Sequence, residues 1–386
     1  MKLKTIQHSS IKLAGLAAAS ILFLAANHVN AAAPGYIFHD LGTAGGPFSN
    51  AFAINDARQI VGSNSTRDDG EILTVWNGTT MKTGEPNSRG WDINSLGQIA
   101  GAVSPSRYGY FHAATWDAAT LTRTDLIDFT NDRTSSAYSI ARGINDAGQV
   151  VGQAKTTDGL AIKPILWNDV TTPTVLNTLG GATGKAFGIN NAGFAVGSSF
   201  TSGDMASHAT RWDVNNGTVT DLGTFADNAT DSAALAINAT GQIAGWSNTP
   251  GDLAQHAAFW EGATAPIDLG TLGGTNSQAL ALNSDGDIVG WSEIADGTKH
   301  ATFWDGAAAV DLNSLLDPAI AAAGWVLVEA KGINDHDAIV GYASNSSLDI
   351  DRHAYLLSPV PEPETYAMLL AGLGLMGTMA RRRKTA

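Results

Sequence analysis

The chain has 386 residues, of which 44 % are hydrophobic, so it can form a folded core and is not disordered throughout. Only 15 % of the residues are charged and 43 are glycine, a composition that favours short strands joined by many turns. The absence of cysteine excludes a disulfide scaffold, a thiolate metal site and a cysteine nucleophile. The formal net charge of −14 argues against a nucleic-acid partner, because an acidic surface repels phosphate backbones.

Residues 1–31 have the organisation of a secretory signal peptide. Lysines precede an apolar run from Leu13 to Ala26, and Val29 and Ala31 provide the small residues that suit cleavage by signal peptidase after Ala31. The alternative is an uncleaved anchor helix, but the apolar run is short for a membrane span. The sequence therefore predicts an exported body that begins at residue 32.

One short motif recurs seven times in this body. Each copy reads Ala-x-x-Ile-Asn or a close variant, and a glycine follows seven residues after the asparagine. The seven asparagines are Asn55, Asn94, Asn145, Asn190, Asn238, Asn283 and Asn334. They lie 39 to 51 residues apart, and each unit contains four short β-like pieces without a helical period. This pattern predicts the blades of a β-propeller rather than a helical repeat.

Each piece of the unit has features of a strand or turn. In the first piece, small residues such as Ala186 and Gly188 alternate; we expect them to face a crowded central axis, while the variable residue between them points elsewhere. An Asn-x-x-Gly turn leads into the second strand. The third strand carries a recurring tryptophan, and the fourth reads Asp-Leu-Gly. The connections that leave the fourth strand vary most in length, so we expect binding function there.

The two ends of the array are complementary. The last unit lacks a fourth strand after Leu357, whereas residues 36–42 read as a fourth strand without the preceding three. Pairing these two pieces would remove exposed sheet edges. The predicted fold is therefore all-β: a single propeller over residues 32–358 with seven four-stranded blades, closed by the N-terminal strand. Six blades or an open β-solenoid are the alternatives.

The repeats resemble the extracellular HAF repeat family. The resemblance rests on the Ala-x-x-Ile-Asn, Gly-Gln-Ile-Val-Gly, His-Ala-x-x-Trp and Asp-Leu-Gly-Thr-Leu-Gly-Gly patterns; it is clearest over residues 186–304 and traceable over 36–357. Ile72 and Lys163 replace the histidine in two units, and Asp337 replaces the turn glycine in the last. The resemblance implies an extracellular location and a repeat architecture, and it implies no particular activity.

Residues 359–386 have the organisation of a second targeting segment, at the C-terminus. Pro361, Glu362 and Pro363 precede an apolar segment over residues 366–380 and the basic residues 381–384, an order that favours a membrane span with its basic end in the cytoplasm. This order resembles the PEP-CTERM sorting signal of Gram-negative bacteria. The resemblance implies a transient inner-membrane anchor, cleavage by an exosortase, and a final location at the cell surface or outside the cell. A plain C-terminal anchor is the alternative. Without both ends, 15 basic and 34 acidic residues remain.

Histidine and tryptophan recur in the third piece of the units, at His112, His208, His256, His300 and His353 and at Trp76, Trp116, Trp167, Trp212, Trp260 and Trp304. Residues repeated once per blade are spread around a ring and do not converge on one ion. We therefore interpret these histidines as bonding to a neighbouring strand and these tryptophans as packing between blades. No catalytic, metal-binding or cofactor-binding residue is predicted.

The candidate ligand patch comprises two groups of residues. Trp246, Trp291 and Tyr342 follow the second-strand glycine only in units five to seven, and Asp128, Asn131 and Asp132 lie in a long insertion after the second unit's fourth strand. These acidic and amide groups suit sugar hydroxyls or a calcium bridge to an acidic polysaccharide, and a solvated loop is the alternative. The sequence favours an exported binding or scaffold protein that contacts exopolysaccharide or another surface glycan. The alternative is a propeller enzyme acting on glycans, which would need converging carboxylates or a His/Tyr pair.

Overall fold

The computed structural model describes residues 35–66, 70–106, 109–129, 138–156, 161–305 and 308–360. Within these ranges the chain forms seven four-stranded antiparallel sheets, the blades of a β-propeller. The first strand, β1 (Tyr36–Asp40), is the outer strand of the seventh blade. The first two blades contain β2 (Ser49–Ile54), β3 (Gln59–Ser65), β4 (Glu71–Asn77), β5 (Thr80–Pro86), β6 (Ser88–Ile93), β7 (Gln98–Val103), β8 (His112–Asp117) and β9 (Arg123–Asp125).

The remaining strands continue the pattern. Blades three to five contain β10 (Ser139–Ile144), β11 (Val150–Lys155), β12 (Ile162–Trp167), β13 (Pro173–Val175), β14 (Gly180–Ile189), β15 (Phe194–Thr201), β16 (Ser207–Asp213), β17 (Thr218–Gly223), β18 (Ser232–Ile237), β19 (Gln242–Asn248), β20 (Gln255–Glu261) and β21 (Ile267–Asp268). Blades six and seven contain β22 (Gly273–Leu282), β23 (Ile288–Ile294), β24 (Lys299–Trp304), β25 (Ala309–Asp311), β26 (Trp325–Ile333), β27 (Ile339–Asn345) and β28 (Ile350–Pro359). The helix α1 (Pro318–Ala322) lies between the last two blades, and short 3-10 helices span Pro250–Asp252, Leu312–Leu315 and Ser346–Leu348.

The N-terminal strand closes the ring. β1 pairs antiparallel with β28, with Tyr36 opposite Pro359 and Asp40 opposite Tyr355. The last blade therefore takes its outer strand from the start of the described chain and its other three strands from the end. The prediction of seven blades with N-terminal closure is confirmed, and the six-bladed and open alternatives are wrong.

The antiparallel order gives the ring two faces. The turn face carries the turns between first and second strands and between third and fourth strands; the loop face carries the connections between second and third strands and those from blade to blade. First-to-second turns contain four or five residues in every blade, whereas blade-to-blade connections range from the single Asn87 to 13 residues over 126–138 and 312–324. Length variation is therefore a property of the loop face.

The motif asparagine has two roles in the turn. In the third blade, the Asn145 Oδ1 accepts the N–H groups of Ala147 and Gln149 at 3.1 and 3.0 Å, and Gly148 takes a φ of 77°. The side-chain Nδ2 donates to the main-chain carbonyl of the Asn190 in the next blade at 3.1 Å. The same asparagine thus shapes its own hairpin and bonds to its neighbour.

These bonds form a nearly complete ring around the axis, which we call the asparagine ring. Six of the seven asparagines donate to the carbonyl of the next, with distances of 2.9–3.1 Å, including the bond from Asn334 to Asn55 that joins the last blade to the first. Asn283 is the exception, because its Nδ2 lies 3.1 Å from Asp287 Oδ2 and 3.3 Å from Asp337 Oδ1.

Serine and tryptophan side chains add bonds between blades farther from the axis. In the fifth blade, the Ser232 Oγ accepts the Ala209 N–H at 2.8 Å and donates to the Gly223 carbonyl at 2.6 Å, both in the fourth blade. Trp260 is fully buried, and its indole N–H donates to the Leu222 carbonyl at 3.0 Å. Equivalent serines are Ser49, Ser88, Ser139 and Ser277, and equivalent indole bonds are made by Trp76, Trp167 and Trp212. The interpretation of the tryptophans as inter-blade packing is confirmed.

The repeated histidines bond within their own blades. His208 Nδ1 lies 2.9 Å from Asp221 Oδ2 on the adjacent fourth strand, and His256 and Asp268 repeat this geometry. His300 pairs with Asp311, and His353 pairs with Asp40 across the closing junction. His112 Nδ1 is 3.9 Å from Asp128 Oδ2. The structural interpretation of these histidines is confirmed in the four closely bonded pairs.

The pairs in the fourth and fifth blades make stability depend on pH. The hydrogen bond that His208 donates to Asp221 raises the pKa of His208. Burial alone would raise the pKa of Asp221, but the bonds that it accepts from His208 and the Gly223 N–H lower it overall. His256 and Asp268 show the same directions. The histidine contribution is full below about pH 6.5 and is lost as pH rises through the raised pKa, and the aspartate contribution is lost as pH falls below about 4.

We expect an Asp221→Asn/Asp268→Asn variant to lose stability most near pH 5.5, where both partners of each pair are charged. Partly exposed pairs contribute about 0.2–1 kcal/mol each, so the expected loss is roughly 0.5–2 kcal/mol. Urea unfolding at pH 5.5 and pH 9 measures the effect, with Asp213→Asn as the control on the same blade. An equal loss of stability at both pH values would contradict this account.

Candidate functional site

The sequence-derived ligand patch does not form one surface. Asp128 is buried, and its Oδ2 lies 3.3 Å from the Ser139 Oγ at the junction of the second and third blades. Asn131 and Asp132 lie outside the described residues. Within its insertion, Asp128 therefore bonds to the body of the propeller rather than facing solvent.

The three aromatic residues of the patch lie on the second strands of successive blades. Trp291 is 8 % exposed, and its indole N–H donates to the Gln278 Oε1 at 3.1 Å. Trp246 is half-buried between Ala233 and Ala257 of the adjacent strands. Within the described ranges, no ring-to-ring contact joins Trp246, Trp291 and Tyr342.

Cations cover two of these rings. The Lys299 ammonium lies 3.6 Å from the centre of the Trp291 ring, and the Arg352 guanidinium lies 4.7 Å from the centre of the Tyr342 ring. Lys331 also lies near the second ring, with its Nζ 5.6 Å from the Tyr342 ring centre. The Glu329 carboxylate pairs with both lysines, 3.7 Å from Lys299 Nζ and 2.5 Å from Lys331 Nζ. Burial and the nearby Glu329 raise the pKa of Tyr342 to about 12, so its hydroxyl stays protonated at neutral pH.

The axial channel offers a better-formed site. Each first strand contains a β-bulge at its variable residue, so that the strand register shifts there in all seven blades. The bulge residues are Phe52, Trp91, Arg142, Phe187, Leu235, Leu280 and Lys331, and all seven line a cavity of about 350 Å³. The expectation that these variable residues point away from the axis is wrong, because a bulge redirects a side chain that strict alternation would place on the other face.

Two glycines beside the bulges allow neighbouring blades to approach closely. A Cβ on Gly143 would lie 2.8 Å from the Phe187 carbonyl oxygen of the next blade, and one on Gly332 would lie 3.1 Å from the Ala53 Cα. The predicted crowding is confirmed at these two glycines, whereas a Cβ on Gly188 would lie at an ordinary 3.4 Å from the Leu235 carbonyl oxygen. The side chains that differ from blade to blade along the channel are therefore mainly those of the bulge residues.

One sector of the channel departs from the repeat. Asp92 occupies the position where most blades have alanine or glycine, and its two carboxylate oxygens accept the N–H groups of Ile93 and Ile144, each at 2.9 Å. The second bond crosses from the second blade to the third. Burial raises the pKa of Asp92, although the two N–H donors oppose this effect.

Arg142 lies beside this carboxylate sector and stacks on an aromatic ring. Its guanidinium carbon is 4.6 Å from the centre of the Trp91 ring, and its Nε is buried without a hydrogen-bond partner. Within the described part of the chain, no carboxylate lies within ion-pair distance of Arg142. Burial lowers the pKa of Arg142, but an arginine remains charged. The channel therefore contains a partly desolvated cation that has no ion-pair partner among the described residues.

The aromatic contacts continue from Arg142 towards the loop face. The rings of Trp91 and Phe111 meet edge to face with centres 6.4 Å apart, and the Arg89 guanidinium lies 5.1 Å from the Phe111 ring centre. Arg89 pairs with Glu71 at 2.5 Å. Arg89, Phe111 and Glu71 line a second cavity of about 530 Å³ between the first two blades.

The opposite end of the channel is acidic. Asp56, Asp146 and Asp335 line a smaller opening at the turn face beside the asparagine ring. Asp337 adopts a φ of 55° where five of the other turns have glycine and the first has Arg58, and burial together with neighbouring aspartates raises the pKa of Asp337. The described residues contain no group of three or more histidine or acidic side chains arranged to hold a metal ion. The channel thus has a cationic wall and an acidic turn-face mouth.

Three comparisons relate this structure to known proteins. Residues 359–384 match the PEP-CTERM protein-sorting motif, whereas no curated protein matches the sequence. An oligogalacturonate lyase in complex with manganese is 11 % identical, with 86 % of this chain and 95 % of that chain covered and a TM-score of 0.51. TolB from Acinetobacter baumannii is 14 % identical, with 82 % of this chain and 65 % of that chain covered and a TM-score of 0.45. At this identity the similarity to the lyase shows a similar fold alone. The chain carries the exported-protein sorting motif that its C-terminal sequence predicted.

Proposed function

We propose that this protein is an exported, exosortase-sorted binding or scaffold propeller that contacts exopolysaccharide or another surface glycan at the cell envelope or in the extracellular matrix. We also propose that its seven repeats belong to the HAF repeat family, which their motifs resemble. The PEP-CTERM motif at residues 359–384 supports export and exosortase processing. The observation that carries the binding role is the concentration of variable connections on one face of a rigid ring.

The position of the sorting segment favours the loop face as the binding face. The described chain leaves the body at Val360, next to Gly35, where the third strand of the last blade ends on the turn face. The apolar segment expected at 366–380 begins six residues later, a distance that an extended chain spans in at most about 20 Å. During anchoring, the turn face would therefore lie near the membrane and the loop face would point away. No helix in the described ranges is long and apolar enough to cross a membrane.

Exposed apolar side chains provide contact groups on the loop face. Met205 and Leu253 are 84 % and 83 % exposed on the second-to-third connections of adjacent blades. Apolar side chains at such positions can cover sugar rings or a neighbouring matrix component. Leu96, 67 % exposed, lies on the turn face and provides a matched comparison.

The alternative function is a propeller enzyme acting on glycans. The observation in its favour is the sector around Asp92 and Arg142, which departs from the repeat as a catalytic site would. Hydrolysis by paired carboxylates requires a second acidic group close to the first. Asp92 is the one carboxylate among the described residues that line the 350 Å³ cavity, since Asp56, Asp146 and Asp335 lie at its turn-face mouth, and both Asp92 oxygens accept main-chain N–H bonds. This arrangement supports binding over hydrolysis.

Sorting is tested by peptide mapping of the protein from its host. We expect the mature protein to lack residues 381–386, because exosortase cleavage near Pro361–Pro363 removes the membrane segment. In a strain without the exosortase, the intact tail should remain in the inner-membrane fraction. Secreted protein with an intact C-terminus would contradict this part of the proposal.

Binding is tested with the exported protein on a glycan array and on matrix isolated from its host. Burial of a Met or Leu side chain contributes about 1.5–3 kcal/mol, so a Met205→Glu/Leu253→Glu variant should bind at least about tenfold more weakly. Leu96→Glu should bind like the wild type. Equal binding by all three folded proteins would exclude the loop-face site, and no glycan or matrix binding by the wild type would overturn the proposed function.

A further inference from the structure

We propose that the axial channel is a separate site for a small amphiphilic carboxylate, with the acid group on Arg142 and the apolar body against the leucine and phenylalanine side chains opposite. This site does not depend on glycan binding at the loop face. Its volume of about 350 Å³ is near the lower end of the range for small-molecule pockets, which favours a compact ligand.

The charge of the ligand follows from Arg142. The propeller body is strongly acidic, yet this guanidinium has no carboxylate partner among the described residues, and its Nε is buried and unbonded. Trp91 stacks against the guanidinium and limits the orientations that the arginine can take. A planar carboxylate in the channel matches the fork of guanidinium N–H donors and would supply the negative charge that the described residues do not.

The body of the ligand follows from the rest of the wall. Phe52, Phe187, Leu235 and Leu280 supply four of the seven bulge positions, and none of them has a polar atom in its side chain. A sugar would leave hydroxyl groups facing these side chains without partners, which costs free energy. An aromatic or short aliphatic body would instead exclude water from them. This wall favours an apolar acid over a sugar acid.

The direction of entry follows from the charges at the two ends. Asp56, Asp146 and Asp335 surround the turn-face opening and repel an anion. Lys331, three blades from Arg142 around the ring, adds a second cation to the wall, although Glu329 pairs with it. Asp92 also opposes an anion, but its oxygens are bonded to the Ile93 and Ile144 N–H groups and so are directed at the backbone. An acid therefore enters most favourably from the loop face.

Calorimetric titration of the purified exported protein at pH 7 tests this site with 3-phenylpropionate and its neutral amide. A charge-assisted hydrogen bond contributes about 1.5–3 kcal/mol, so the acid should bind at least about tenfold more tightly than the amide. Arg142→Met should remove that preference. Arg211→Met is the matched control, because Arg211 also stacks on an aromatic ring, 4.9 Å from the Phe194 centre, but does not line the channel.

A second variant tests the channel independently, in case the arginine variant does not fold. Leu235→Trp should weaken the binding of acid and amide alike by filling the channel, while Arg142 keeps its charge. Equal affinity for acid and amide, no binding of either by the wild type, or unchanged binding by Arg142→Met would overturn the proposal. Tighter binding of galacturonate than of 3-phenylpropionate would also overturn it. Matrix binding by Arg142→Met separates the two sites, because it should remain even where acid binding is lost.

Discussion

The hydrogen bonds between the motif asparagines constrain the whole ring. Each side chain fixes its own hairpin through Oδ1, and in six blades its Nδ2 bonds to the next hairpin. An unpaired buried amide costs about 1–3 kcal/mol, so a blade that shifts along the axis loses bonds on both sides. The asparagine bonds therefore keep the first strands of neighbouring blades aligned along the propeller axis. The serine and tryptophan hydrogen bonds join the same blades farther from the axis.

This constraint explains why the channel can vary while the blades remain uniform. At Gly143 and Gly332, the residue after the bulge is kept small by close packing against the neighbouring blade. The bulge residue faces the axis and meets no such limit. The chemistry of the channel wall can therefore change at bulge positions such as Trp91 and Arg142 without changing the asparagine ring.

The sequence predicted the repeated architecture well because each feature had a local cause. The Asn-x-x-Gly turns, the strand-forming tryptophan segment and the complementary strand at residues 36–42 each contain the chemistry that forms them. The channel could not be predicted in the same way. A bulge shifts the alternation by one residue, so counting by two placed Arg142 on the wrong face, although a variable position between small residues in six of the seven units was the available signal. The burial of Asp128 also depends on contacts with the next blade, which its own loop sequence does not specify.

Amide hydrogen exchange in the N-terminal strand tests the closed ring most directly. The Leu41 N–H donates to the Ala354 carbonyl at 2.9 Å, and β1 occupies the same outer position in its blade as β17 does in the fourth. The closed ring predicts that a peptide covering residues 35–42 exchanges as slowly as one covering β17. Exchange of residues 35–42 at the rate of an unstructured chain, while β17 stays protected, would contradict closure of the ring by this strand.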